Sequence, residues 1–190
     1  MRCITCHNLS LKIICISCQE QLLKPSLHQR ELTKDFSVYS FYKYDEVSDL
    51  LNTKYEFYGD RVYNILASLS FSKFAENFQF ENQISAIGID DHTRDNFSHT
   101  AILVKHLKSQ NIIPKYNLLK AQNHVKYAGK DLEFRKNNKR NFLYKGKQNS
   151  QVILVDDIIT TGSTLLEAKE TLEENNCEVL FALCISDANI

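Results

Sequence analysis

The apolar positions of this chain fall into two periods that alternate along its length. Phe36 to Tyr44 is aromatic and alternating, the pattern of a strand. From Glu46 to Phe80 the apolar residues Leu50, Leu51, Tyr55, Tyr58, Val62, Ile65, Leu66, Leu69 and Phe74 recur at mostly three- and four-residue steps, which predicts helices. A short run at Ile84 to Ile89, a helical stretch at Thr100 to Lys108 and a strand-like run at Ile112 to Leu119 follow. A continuous apolar run begins at Val152 and ends in Asp156 and Asp157. Leu165, Leu166, Ala168 and Leu172 then mark a helix, and Val179 to Ile185 a last buried strand. Alternation of strand and helix from residue 84 to 185 predicts an α/β domain with a mainly parallel sheet.

Composition narrows the class. With 43% hydrophobic and 24% charged residues in a chain of 190, one main core with a small appendage is expected. Lys plus Arg and Asp plus Glu both total 23, so there is no global attraction to nucleic acid or an anionic membrane. No stretch has secretory or membrane-spanning length, and the expectation is a cytoplasmic protein without a membrane span. The five glycines lie at least 16 positions apart, which excludes both GxGxxG and the P-loop. We find no internal repeat or low-complexity tract.

Cys3, Cys6, Cys15 and Cys18 form C-x2-C-x8-C-x2-C. Two such pairs can present four thiolates to one structural Zn²⁺, a closed site with no position for catalysis; a redox pair is the weaker reading. The expected organisation is a zinc knuckle at 1–20, a linker or helix at 21–35, and the main domain at 36–190. Cys177 and Cys184 are expected to be buried small hydrophobes. The six histidines show no ligand spacing with a second metal group and are assigned no role.

The richest segment runs from Val152 to Thr164, V-I-L-V-D-D-I-I-T-T-G-S-T. Four apolar residues without alternation suit a central parallel strand covered on both faces. Asp156 and Asp157 then fall at its carboxyl end, where open α/β sheets place ligands. Thr160, Thr161, Gly162, Ser163 and Thr164 supply hydroxyls and backbone N–H groups at a helix start, an anion site that suits a phosphate and would also take a carboxylate.

This segment closely resembles the phosphoribosyl-pyrophosphate (PRPP) motif of type I phosphoribosyltransferases. The resemblance implies that Asp156 and Asp157 face the ribose hydroxyls and that Thr160 to Thr164 wrap the 5′-phosphate. It implies Mg²⁺ carried mostly by substrate and water oxygens, and no protein nucleophile. The four-cysteine knuckle ahead of this motif resembles the ComF family of competence-associated phosphoribosyltransferase homologues. Weaker similarities lie at Tyr39 to Tyr44, at Lys54-Tyr55 with Gly59-Asp60, and at Arg135, Asn138 and Phe142. A further one, Arg94 to His99, departs from the family's Arg-Gly-Phe-Asn-Gln run, so Arg94 is only a candidate diphosphate contact.

The interval Lys115 to Lys147 holds ten Lys or Arg against Asp131 and Glu133, a local excess of +8. With its aromatic residues it suits either a lid over the site or contact with single-stranded DNA, with Lys136, Lys139 and Arg140 as candidate contacts. Three functions fit the sequence. The first is a ComF-type protein of natural transformation that handles incoming single-stranded DNA beside the uptake machinery, with a Mg²⁺-dependent PRPP pocket. The second is a salvage or biosynthetic phosphoribosyltransferase, and the third a non-catalytic scaffold. The motif fixes neither an acceptor nor whether transfer occurs.

Overall fold

The structure, a computed structural model, describes residues 1–89, 97–123 and 140–190. Its main sheet has six strands in the order β1-β2-β8-β7-β3-β4. These are β1 (His28–Thr33), β2 (Phe36–Lys43), β3 (Ile84–Gly88), β4 (Ile112–Lys115), β7 (Gln151–Ile159) and β8 (Glu178–Asp187). Only the β1–β2 pair is antiparallel; β2–β8, β8–β7, β7–β3 and β3–β4 are parallel. A separate antiparallel pair joins β5 (Leu119–Ala121) to β6 (Phe142–Tyr144). Helices α1 (Ile16–Leu22), α2 (Tyr44–Asn52), α3 (Gly59–Leu69), α4 (Phe71–Asn77), α5 (His99–His106) and α6 (Ser163–Glu174) complete the described elements, with a 3-10 turn at Thr53–Tyr55. This is the expected α/β fold, a mostly parallel central sheet flanked by helices.

Strand β7 explains why its sequence lacks alternation. Ile153 and Val155 enter one core with α3 and α5, while Val152 and Leu154 enter another with α6. Each face is covered, so every position is apolar, and each buried Val, Leu or Ile contributes roughly 1.5–3 kcal/mol. The strand does not end at the aspartates as expected: it continues to Ile159, with Asp156 and Asp157 interrupting the apolar run and Ile158 and Ile159 returning to the two cores.

Two segments differ from their expectations. The interval 21–35, expected as linker or helix, holds the end of α1 and then an edge strand, β1. Its polar residues hid it: half-buried and exposed positions alternate along the strand, so one face is solvated and the other only half covered. Pairing with β2, remote from any local hydrophobic signal, makes the strand. The strand-like run 112–119 is broken at Tyr116, and Leu119 begins β5, in the small antiparallel pair. The cysteine segment, expected as an appendage, shares the body's core. Cys3, Ile13, Ile14, Cys18 and Leu23 are buried in one cluster with Phe41, Leu66 and Phe71.

Among the described residues no helix is long and apolar enough to cross a membrane.

Candidate functional site

The β7–α6 turn is the place where sequence and structure converge. Gly162 stands at φ +80°, a left-handed conformation that costs an L side chain, and an added Cβ would meet the Leu32 methyls at 2.7 Å. Glycine is therefore required twice over, by backbone and by space. Having no side chain, it caps α6 without a side-chain hydrogen bond of its own; the Ser163 N–H meets Thr161 Oγ1 at 3.4 Å, and the positive helix end faces the turn. The Thr161 Oγ1 and Ser163 Oγ hydroxyls lie 2.9 Å apart across it. Asp156, Thr160, Thr161, Gly162 and Thr164 line one small pocket. Ser163 belongs to the turn but not to the pocket lining.

The sequence reading paired the two aspartates; the structure gives them different surroundings. Asp156 is partly exposed at the pocket, and its Oδ1 accepts the Asp157 N–H at 2.8 Å. Burial and the adjacent Asp157 charge push its carboxyl up to about 8. Asp157 is buried and does not line the pocket. Its Oδ2 takes the Lys54 ammonium at 2.8 Å and the Tyr63 hydroxyl at 3.2 Å, with His99 Nε2 at 3.7 Å, and its Oδ1 accepts the Ile158 N–H at 2.8 Å. Burial alone would raise this carboxyl, but the charges of His99 and Lys54 outweigh it and hold Asp157 far below the usual carboxylate range. Lys54 is likewise held above its ordinary value, burial being overcome by Asp157. Asp157 thus ties the 3-10 turn, α3 and α5 to β7.

In the sequence Lys54 stands only as a similarity without a role, Tyr63 is not singled out within the helical stretch, and His99 is assigned nothing. No spacing signal could have found them, since Lys54 lies 103 and Tyr63 94 positions from Asp157. His99, Asp156 and Asp157 also place their ligand atoms within 4.8 Å of one another, a group that could hold a cation. The Lys54 ammonium already sits on one of those oxygens.

Arg140 was expected on a DNA-binding or lid surface. It is half-buried, its backbone N–H donates to Glu167 Oε2 of α6 at 3.2 Å, and its charge acts on Asp156, counteracting part of the upward shift. Arg94, Lys136 and Lys139 lie outside the described residues, as does the middle of the basic interval.

The four cysteines come together as their spacing requires, with sulfur atoms all within 4.8 Å. Cys3 and Cys18 Sγ are 3.9 Å apart, and Cys6 and Cys15 Sγ 3.7 Å. A tetrahedral zinc with Zn–S bonds near 2.3 Å places its sulfurs about 3.8 Å apart, so the thiols already stand at ligand separation. The thiols differ in their surroundings. Cys18, crowded by Cys15, by burial and by the other sulfurs, is pushed up to about 12. Cys3 drops to about 6 in spite of burial, because backbone N–H groups, Cys15's foremost, point at its sulfur.

Residues 102–189, from within α5 through β8 and including the whole β7–α6 turn, match the family model of the phosphoribosyl transferase domain. The match covers somewhat less than half of the chain. No curated protein sequence matches. Similar solved structures include adenine phosphoribosyltransferase from Saccharomyces cerevisiae, at 16% identity over 92% of this chain and 90% of that one, with a TM-score of 0.43. UMP synthase from Leishmania donovani is 14% identical over 90% of this chain, with a TM-score of 0.42, and this chain spans 31% of its length. A hypoxanthine phosphoribosyltransferase from Staphylococcus aureus is 13% identical over 67% of this chain and 64% of its own, with a TM-score of 0.39.

Proposed function

We propose that the chain binds PRPP, or a related phosphoribosyl compound, at the β7–α6 turn. The observation that carries this reading is the left-handed Gly162 turn at the carboxyl end of a central parallel strand, inside the matched domain. The 5′-phosphate would rest on the backbone N–H groups of the Thr160 to Thr164 turn, and Asp156 at its edge would accept hydrogen bonds from ribose hydroxyls. Asp157, held by Lys54 and Tyr63, would support that carboxylate by fixing the strand end. Mg²⁺ fits here as a companion of the ligand, since Lys54 already compensates Asp157 and leaves Asp156 as the one partly exposed carboxylate of the pair. It would supply positive charge to the diphosphate.

The finer assignment, a ComF-type competence protein acting on incoming single-stranded DNA, is supported by the four-thiol centre ahead of the motif. Its single-stranded DNA partner rests on the basic interval 115–147 of the sequence.

The test is titration calorimetry with PRPP in the presence and absence of Mg²⁺. Measured above about pH 8, where the Asp156 carboxyl is ionised, binding should be tighter with the metal, and Asp156→Asn should lower affinity roughly tenfold, the worth of one charge-assisted hydrogen bond. Wild-type protein that ignores millimolar PRPP with Mg²⁺ would remove the ligand and leave the fold. Release of pyrophosphate on adding a nucleobase would instead make the chain a salvage enzyme.

A further inference from the structure

The phosphate reading concerns the open side of the 160–164 turn; the opposite side is gripped by elements remote in sequence. The Thr160 carbonyl accepts two hydrogen bonds, from Arg30 Nη1 on β1 at 2.8 Å and from Asn189 Nδ2 at 3.0 Å. Arg30 Nη1 also donates to Asp187 Oδ1 at 3.0 Å. That same Oδ1 accepts the Asn189 N–H at 2.9 Å, and the Asp187 side chain is only 2% exposed. Next to it, the Ala188 N–H bonds the Ile159 carbonyl at 2.8 Å. Two residues along β1, and so on the same face as Arg30, Leu32 fills the space beneath Gly162.

This arrangement sets the orientation of a peptide. Among the described residues no peptide bond is cis, so the Thr161 N–H is antiparallel to the Thr160 carbonyl. Two donors converging on that carbonyl hold the plane and direct the N–H away from the clamp. The guanidinium's charge is matched by a buried carboxylate, which suits it to fix geometry and leaves little net charge to attract a distant anion.

We propose that Arg30 is a positioning residue of the anion turn: anchored by Asp187 and assisted by Asn189, it presets the 160–164 backbone for a phosphate without touching the ligand. This rests on the phosphoribosyl reading of the turn for the identity of the anion, and on the clamp geometry alone for the ordering.

The experiment compares wild type, Arg30→Lys, and Arg30→Gln combined with Asp187→Asn, the pair chosen so that no buried carboxylate is left without its cation. Amide hydrogen exchange is measured without ligand, and PRPP affinity with Mg²⁺ is measured across a salt series. The double variant should exchange at least about tenfold faster at the Leu166 and Ala188 amides, which bond the Gly162 and Ile159 carbonyls beside the turn, with β3 unchanged, and bind PRPP about tenfold more weakly. Its salt dependence should equal that of wild type, because a group touching no phosphate removes no charge from the ligand's field. Arg30→Lys, which keeps a charged donor, should recover part of both effects. Unchanged exchange at Leu166 and Ala188 overturns the clamp, and a flattened salt dependence overturns it in favour of direct contact between Arg30 and the phosphate. Should wild type bind no PRPP, the phosphoribosyl reading fails by itself and the exchange data still decide the clamp.

Discussion

The cysteine segment and the β7–α6 turn are both short sequence motifs that gather ligand groups, but they are built in opposite ways. All four thiols come from a sixteen-residue stretch, and backbone bonds within it, from Cys15 N–H to Cys3 Sγ and from Cys18 N–H to Cys15 Sγ, already shape the quartet. The turn has its own backbone geometry in Gly162 and short local bonds, yet the groups that tie it to the rest of the fold are borrowed: Lys54 and Tyr63 for Asp157, and Arg30 and Asn189 for Thr160. A metal site with four local ligands is close to self-sufficient once the ion is present. An anion site made of backbone depends on whatever holds that backbone still.

The first and largest effect should come from breaking the self-sufficient region. Cys3→Ser with Cys15→Ser removes two of the four proposed zinc ligands, and structural zinc contributes on the order of 10–16 kcal/mol in small modules. Because Cys3 is buried in one core with Phe41 and Phe71, the loss should reach the whole domain. We expect one zinc per wild-type chain by elemental analysis and a single melt lowered by about 10 °C or more in the variant. Metal-free wild-type protein, prepared without chelator, would rule out zinc; separate melting of the segment with the core unmoved would show that the shared packing is energetically idle.

The borrowed support of the turn is broken by Lys54→Met. It strands the buried Asp157 charge, and removing one partner of a buried pair costs about 3–5 kcal/mol. A melting temperature lower by roughly 10 °C is expected, with most of it regained when Asp157→Leu is added. A drop under about 1 kcal/mol would mean the pair is solvent-screened, and that the two regions differ less than their geometry says.

The smallest effect sharpens the difference between the two aspartates. Folded Asp156 keeps its proton up to about pH 8, whereas an unfolded aspartate loses it near pH 4. Its contribution to stability is therefore complete below about pH 4 and is lost as pH rises through about 8. From pH 5 to about 8 the linkage spans about three pH units, at most about 4 kcal/mol, and solvent screening of the partly exposed Asp156 cuts this to about 1 kcal/mol. Asp156→Asn has no proton to lose, so its melting temperature relative to wild type should rise by roughly 2 to 4 °C between pH 5 and pH 9. A difference that stays constant across that range would show that Asp156 titrates normally.

Much of the scaffold was legible beforehand because its causes are local. The doubly covered strand β7 announced itself by apolar residues without alternation, and Gly162 by its place between hydroxyl residues at a helix start. The edge strand β1 was not legible, since His28 to Thr33 is a polar run that becomes a strand only by pairing with β2. His99 and Tyr63 carried no signal for the same reason: one opens a helix, the other lies inside one, and nothing in their neighbourhoods points to β7.

By itself, then, the sequence determined that four thiols would meet, that an α/β sheet would form, and that a hydroxyl-rich turn with acidic residues would stand at the end of its central strand. Each follows from spacing within about twenty residues, where the chain's own geometry limits the outcomes. The tertiary structure decided which aspartate faces the pocket and which is sealed under Lys54, and that Arg30, 130 positions away, would hold the Thr160 carbonyl. Those outcomes depend on the strand order β1-β2-β8-β7, which brings the polar edge hairpin and the last strand beside the turn. Local periodicity says which segments are strands and leaves open which will be neighbours.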